Sequence, residues 1–435
     1  MAPPKIIIDT DPGCDDILAM LMALSASPEE LEVAMLSITY GNVPREACAR
    51  NAVGMFKVIE QEMAWRKANG KDEGFGTLRA NKPIVALAAE HPLEQKALEA
   101  DYFHGADGLH NVHEALPHLS PADTWKSIFH GTADTQDDCS EHTALFTPSK
   151  EPAHKEMLRL LKENPVDTIS ILAIGPMTTV ALAASEDPET FLRVKDVIIM
   201  GGAVNVKGNV TPVAEFNTYA DPVACARVFS LTSMTPSATM PPTSAVTVLP
   251  PYPEKLSRRL KVVLCPLDIT EPHELDKKFF ASRVAPLVEA GSPLAQWTAH
   301  FIGGVFRKIE SILGEGTDAG LSMHDPLTVW YALTQADPKW KLTPKPEDIR
   351  VETTGQWSKG MHVVDNRAKI RPAEAALQAS ADPTNDPELI KLDYVEGDTM
   401  AWLSVLKRNQ INRIIGSPGE QIFKQVWADH VFGKM

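Results

Sequence analysis

Residues 9–16 read Asp-Thr-Asp-Pro-Gly-Cys-Asp-Asp and place four carboxylates, Asp9, Asp11, Asp15 and Asp16, within eight positions. They follow Ile6-Ile7-Ile8, a β-branched run that reads as a buried strand, and they open an apolar-rich stretch, residues 15–25, that reads as a helix. Pro12 and Gly13 permit a tight turn in which Asp11 and Asp16 converge. A helix N-terminus relieves only about 0.3–1 kcal/mol per charge. That is small beside the repulsion of several carboxylates packed at low dielectric. A bound cation resolves the conflict, and an all-oxygen donor set points to a hard ion, Ca²⁺ or Mg²⁺. An N-cap aspartate with solvated neighbours is the weaker explanation, because these acids follow a strand end rather than an exposed face.

Such a cluster needs a scaffold that carries strand ends to one place. Further strands are expected at Val33 to Tyr40, Ile84–Leu87, Thr168–Ala173, Val197–Met200 and Val262–Leu267, with helices at 45–60, 153–163, 177–185, 221–230 and 273–289. Strands alternating with helices predict an α/β fold with a mostly parallel central sheet flanked by helices. In such sheets ligands sit beyond the C-terminal strand ends. The 435 residues read as a single domain with loop insertions at about 66–80, 115–150 and 233–258 and a C-terminal helical extension at about 372–435, its helices at Met400–Asn409 and Glu420–His430.

The net charge of −15 argues against nucleic acid or an anionic membrane as partner, since both need surplus Lys and Arg. No apolar run reaches the roughly 18–20 residues of a membrane span. The five cysteines are scattered and lack any CxxC spacing, which suits reduced thiols and, with no signal peptide visible, a cytoplasmic location.

Asp-x-Asp after an apolar strand also marks phosphatases of the haloacid dehalogenase type, whose first Asp is a nucleophile. In those enzymes Thr or Val stands two residues after the second Asp. Here that position is Gly13, and the tandem Asp15-Asp16 is foreign to the motif.

The octapeptide instead resembles the Asp-x-Asp-Pro-Gly-x-Asp-Asp signature of the nucleoside hydrolase family, the inosine-uridine-preferring N-ribohydrolases. Further stretches match in the family's order: Gly41-Asn42; Ala173-Ile174-Gly175-Pro176-Met177-Thr178; Met200-Gly201-Gly202; Gly208 through Asn217; Asp221-Pro222; and His324-Asp325-Pro326-Leu327. The segments Thr354-Gly355, Lys359-Gly360-Met361 and Val363-Val364-Asp365 are also similar. The likeness runs over about residues 5–370, apart from the three insertions.

The resemblance implies hydrolysis of the N-glycosidic bond of a ribonucleoside through an oxocarbenium-like transition state. It implies Ca²⁺ held by the side chains of Asp11, Asp16 and Asp325 and the carbonyl of Ile174, with Asp11 as general base toward water acidified by the ion. It places Asp15, Asn42, Asn209, Glu215 and Asn217 on the ribose with Met200 packing nearby, and Asp325 beside both sugar and ion. A polyol needs such a density of donors and acceptors, and 2′-deoxynucleosides are expected to be poor substrates. His324 is the candidate acid for the leaving base. His104, in Phe103-His104-Gly105-Ala106-Asp107-Gly108-Leu109, matches a family loop near the base, after which His110-Asn111 replaces the usual small glycines. A dimer or tetramer is expected by the same analogy. A nucleoside-binding module without turnover is the non-enzymatic alternative.

Six histidines between 104 and 142, with Cys139, suggest zinc only weakly, because no pair has a recognised ligand spacing. A lid over the base pocket is the better expectation for that segment. The helix near 297–313 reads as core, with its C-terminal end free to close over the base. Asn209-Val210-Thr211 fits a glycosylation sequon but belongs to the substrate motif, and Gly201-Gly202 lacks dinucleotide-binding spacing.

Overall fold

The isoleucine run forms the middle of β1 (Lys5–Thr10), buried from Ile6 onward. In chain order there follow β2 (Glu32–Ile38), β3 (Ile84–Leu87), β4 (Thr147–Pro148), β5 (Ile169–Ala173), β6 (Asp196–Met200) and β7 (Val262–Cys265). Then come β8 (Glu274–Leu275), β9 (Leu321–Ser322), β10 (Lys341–Leu342), β11 (Ile349–Val351), β12 (His362–Val364) and β13 (Ile411–Gly416). This computed structural model describes residues 3–94, 96, 98, 103–130, 143–242, 249–314, 316, 320–367, 371, 373–377 and 386–434.

Among the described residues the central sheet has nine strands in the order β10-β13-β7-β6-β5-β1-β2-β3-β4. All neighbours are parallel except β10 against β13. The chain steps outward from β1 through β2 to β4, then returns to β5 on the other side of β1. The C-terminal ends of β1 and β5 therefore border the point where strand order reverses, the place where open α/β sheets hold ligands.

The helices that matter for the site are α1 (Cys14–Ser25), α2 (Arg45–Ala68), α3 (Ala153–Glu163), α4 (Thr178–Glu186), α5 (Pro222–Ser230), α6 (Pro293–Leu313), α7 (His324–Thr334) and α8 (Glu420–Phe432). The alternation of β1 sends Ile6 and Ile8 into a core shared with α1, α2, α6, α7 and α8. Ile7 faces the opposite core, built on α3, α4 and α5.

Three expectations need correcting. Residues 66–80 are a surface insertion only in part, with 67–72 exposed. Helix α2 continues to Ala68, and the buried Arg66 guanidinium bonds Glu62 at 2.8 Å and the Val431 carbonyl at 2.7 Å, while Phe75, Thr77 and Leu78 are buried. Glu62 also accepts from Ser292 Oγ at 2.6 Å, so the polar look of the segment hides a satisfied ion pair.

The C-terminal extension is not an appendage of helices. Residues 400–409 are mostly turn, and Ile411–Gly416 is a strand inserted between β7 and β10. Its Arg413 is neutralised by Glu347 at 2.9 Å, which allows a charge within a sheet strand. The expected final helix is present as α8, and its fully buried Trp427 donates Nε1–H to the Leu18 carbonyl of α1 at 3.0 Å.

The loop reading of 115–150 holds only in part. Up to Phe129 this segment packs on α2: Trp125, Ile128 and Phe129 are buried, and Lys57 Nζ donates to the Ser120 carbonyl at 2.7 Å. Residues 131–142, with His142 and Cys139, lie outside the described residues, as do 243–248 of the third insertion.

Candidate active site

A cleft of about 820 Å³ opens over the ends of β1, β5 and β6. Asp15, Asn42, His104, Ile174, Met200, Asn209, Glu215, Asn217, His324 and Asp325 all line it, although they come from widely separated parts of the chain. Asp11 and Asp16 are fully buried beneath these residues.

Asp15, Asp16 and Asp325 form the one group of metal-competent side chains among the described residues, with one oxygen of each within 4.8 Å of the others. Asp16 stands in the first turn of α1 and reaches back to the helix start, accepting from Gly13 N at 3.1 Å. It also accepts from Thr10 Oγ1 at 2.6 Å, Asp11 N at 3.1 Å and Asn42 Nδ2 at 2.8 Å. Asp325 begins α7 next to His324. Asp15, which the resemblance assigned to the sugar, is thus a member of the carboxylate group itself.

Asp11 stands outside that group of three. Its Oδ2 accepts from Asn42 N at 2.7 Å, and its buried Oδ1 has no hydrogen-bond partner among the described residues. Gly41 and Gly175 press on this carboxylate from both sides. A Cβ at Gly41 would sit 2.0 Å from Oδ2, and one at Gly175 would sit 2.5 Å from Oδ1. The two loop glycines after β2 and β5 are therefore what the Asp11 side chain requires. Gly13 answers a similar demand, since a Cβ there would meet Asn42 Nδ2 at 2.7 Å and His104 Nδ1 at 2.8 Å.

The carboxylates are in electrostatic conflict. Burial raises Asp11 well above the usual range, and Asp16 adds to the rise. Burial and then Asp16 push Asp15 up to about 7. Asp325 is raised well above its ordinary value by burial, then by Asp15, Asp16, Asp11 and Glu215 in turn. An unpartnered buried oxygen on Asp11 and three convergent carboxylates fit a hard divalent cation, which reverses each of these penalties.

Beside this group lies a hydrogen-bonding wall. Glu215 accepts from Gly202 N at 2.8 Å, Thr218 N at 3.0 Å and Asn217 N at 2.7 Å. Asn217 Nδ2 donates to the Ile174 carbonyl at 3.0 Å and lies 3.4 Å from Met200 Sδ. One lone pair of the Ile174 carbonyl is thereby used and one remains. Asn209 stands at the exposed rim, its Oδ1 accepting from Phe216 N at 2.9 Å.

The histidines differ in role. His324 Nδ1 lies 2.7 Å from Thr270 Oγ1, and burial lowers its pKa to about 4. His104 Nδ1 accepts from Cys14 N at 3.0 Å, so the hydrogen of the neutral ring is on Nε2, and burial lowers it to about 3. His113 is a structural residue, bonded to Asn51 Oδ1 at 2.8 Å and to Ser120 Oγ at 3.0 Å. His110 is not on the cleft wall; its ring lies against Gly304 of α6.

Asp9, the nucleophile of the phosphatase reading, is fully buried, accepts a hydrogen bond from Ser37 Oγ and does not line the cleft. By the alternation of β1 it faces the Ile7 side of the sheet. Sequence reasoning missed most of the outer wall: Glu271, Glu274, Lys308 and Ser322 line it, beside Phe103 of the loop expected near the base. Ile312 and Leu313, at the C-terminal end of α6 that was expected near the base, line the cleft and are 60% and 59% exposed.

The comparisons agree with this geometry. The sequence profile described as inosine-uridine preferring nucleoside hydrolase matches residues 6–391, and the chain belongs to that family. It is an enzyme of the ribonucleoside hydrolase class, an N-glycosidase. The pyrimidine-specific ribonucleoside hydrolase RihA of Salmonella paratyphi C is 29% identical over 83% of this chain and 88% of that relative. The non-specific ribonucleoside hydrolase RihC of Klebsiella pneumoniae is 27% identical over 87% of this chain and 93% of that relative. A solved plant nucleoside hydrolase superposes with a TM-score of 0.63 over 99% of this chain and 100% of its own, at 24% identity, and shares the fold. No helix among the described residues is long and apolar enough to cross a membrane.

Proposed function

We propose that this enzyme hydrolyses the N-glycosidic bond of purine and/or pyrimidine ribonucleosides to ribose and free base, with Ca²⁺ as its resident ion. The observation that carries the reading is the meeting of Asp15, Asp16 and Asp325 with the Asn42, Glu215 and Asn217 wall in one cleft. The activities named for the two bacterial relatives support the substrate class.

The side chains of Asp11, Asp16 and Asp325 and the free lone pair of the Ile174 carbonyl would hold the ion, with Asp15 alongside. When bound, Ca²⁺ would acidify water and offset the buried negative charge. Asp11 Oδ1 takes the proton of the attacking water as general base. The water oxygen bonds to the anomeric carbon as the glycosidic bond breaks, and the bonding electron pair leaves with the base. Asp15, Asn42, Asn209, Glu215 and Asn217 orient the ribose hydroxyls and 5′-group, Met200 packs beside the sugar, and His104 reaches the base with Nε2–H. His324 is the leaving-group donor. With its pKa near 4 it is neutral at pH 7. When Thr270 donates to Nδ1, Nε2–H supplies a hydrogen bond that strengthens as charge grows on the departing base.

A panel of purine and pyrimidine ribonucleosides and their 2′-deoxy analogues, with product analysis, tests the reading. Free ribose and base from the ribonucleosides, with much slower release from the deoxy analogues, is the expected result. Binding without release would favour a silent binding module instead.

A further inference from the structure

Behind the Glu215 carboxylate lies a histidine that does not line the cleft. Glu215 Oε2 accepts from Gly202 N at 2.8 Å and Thr218 N at 3.0 Å. His362 of β12 braces both of these neighbours. Its Nε2 lies 3.2 Å from Thr218 Oγ1. Its ring lies against Gly202, where a Cβ would stand 2.0 Å from Cε1 and 2.1 Å from Nδ1. Phe229 closes the other side of the imidazole, edge-on at 5.4 Å.

His362 is buried, and its Nδ1 has no hydrogen-bond partner among the described residues. This fixes the tautomer. A buried N–H without an acceptor is the costlier defect, so the hydrogen is on Nε2 and the bare Nδ1 is an acceptor. Nε2–H then donates to Thr218 Oγ1, and the backbone N–H of the same residue is one of the donors that hold Glu215 Oε2. The ring's delivery is also built in: Met361, its neighbour, bridges Ala214, the neighbour of Glu215.

We propose that His362 is a positioning residue for the sugar side of the cleft: through Thr218 and Gly202 it holds the Glu215 carboxylate in the orientation that meets a ribose hydroxyl. The proposal rests on the nucleoside reading of the cleft.

The test compares His362→Leu, which fills space without donating, with His362→Gln, whose amide nitrogen takes over the donor role of Nε2. Thr218→Val, which keeps the shape and removes the hydroxyl, supplies a second route should His362→Leu fail to fold. Steady-state kinetics on the best ribonucleoside are read alone and in combination with Glu215→Gln. His362→Leu and Thr218→Val should each raise KM about tenfold, the worth of a hydrogen bond to a charged group, with kcat nearly unchanged. His362→Gln should restore most of the loss, and neither variant should add to the effect of Glu215→Gln. Unchanged KM in both variants, or losses that add to those of Glu215→Gln, would overturn the proposal while leaving the cleft reading intact. A wild-type enzyme that releases no ribose from any nucleoside would overturn the cleft reading and this proposal together.

Discussion

Asn42 donates its side-chain amide to Asp16 Oδ2 at 2.8 Å while its backbone N–H holds Asp11 Oδ2 at 2.7 Å. One residue after β2 thus aligns two carboxylates delivered by β1 and α1. Removing the amide in Asn42→Ala leaves Asp16 with one donor fewer in a buried site. Loss of such a partner typically costs about 10–100-fold in metal affinity or activity. Calcium titration by calorimetry should show a fall of that order, and an unchanged affinity would show that Asn42 does not organise the ion's ligands.

The raised carboxylates predict a pH-dependent stability in the chelated protein. Asp15 is near 3.8 when free and about 7 in the fold, so the folded state binds the extra proton. The destabilising charge is absent below about pH 4 and is fully present above about pH 7, so stability should fall as pH climbs through that window. Thermal melts with chelator should show the fall, and added Ca²⁺ should reverse most of it. Melts that coincide with and without Ca²⁺ at pH 7 would contradict a cation site among these aspartates.

His324→Ala should slow natural nucleosides by about 10²–10³-fold, the usual loss on removing one hydrogen-bond donor aimed at charge that develops in the transition state. It should affect a nitrophenyl riboside, whose leaving group needs no help, far less. An equal loss on both substrates would remove His324 from that role.

Trp427 has no contact with the chemistry but anchors α8 on α1, the helix that carries Asp15 and Asp16. Trp427→Ala should cost about 3–5 kcal/mol of stability, the usual range for a large buried aromatic. Chemical denaturation of the Ca²⁺-loaded enzyme measures it, and a loss below about 1 kcal/mol would show that the C-terminal helix is dispensable to the core.

That anchoring marks where the sequence was and was not legible. Strands ending in aspartates or glycines, such as Ile6–Ile8 into Asp9-Thr10-Asp11, announce themselves because apolar runs, turn residues and site residues are adjacent in the chain. Ile84–Leu87 and 153–163 were found with their observed boundaries for the same reason of strong local pattern. β13 was hidden because Asn412 and Arg413 interrupt its apolar run, and only the distant Glu347 and Asp268 make Arg413 acceptable there. The end of α6 was legible only through the family resemblance. Ile312 and Leu313 look like core by type, yet they face the cleft. His362 carried no local signal, because its purpose depends on Gly202 and Thr218, far away in sequence.

The central claim is that the buried aspartates exist to hold a calcium ion beside Asp11. Elemental analysis of dialysed protein, paired with ribose-release assays on the same samples, tests it most directly. The account predicts stoichiometric calcium and turnover in the wild type, loss of both in Asp325→Ala, and bound calcium with turnover reduced by about 10²–10⁴-fold in Asp11→Asn, the contribution of a general base. Full ribose release from a wild-type sample stripped of divalent ions would contradict it.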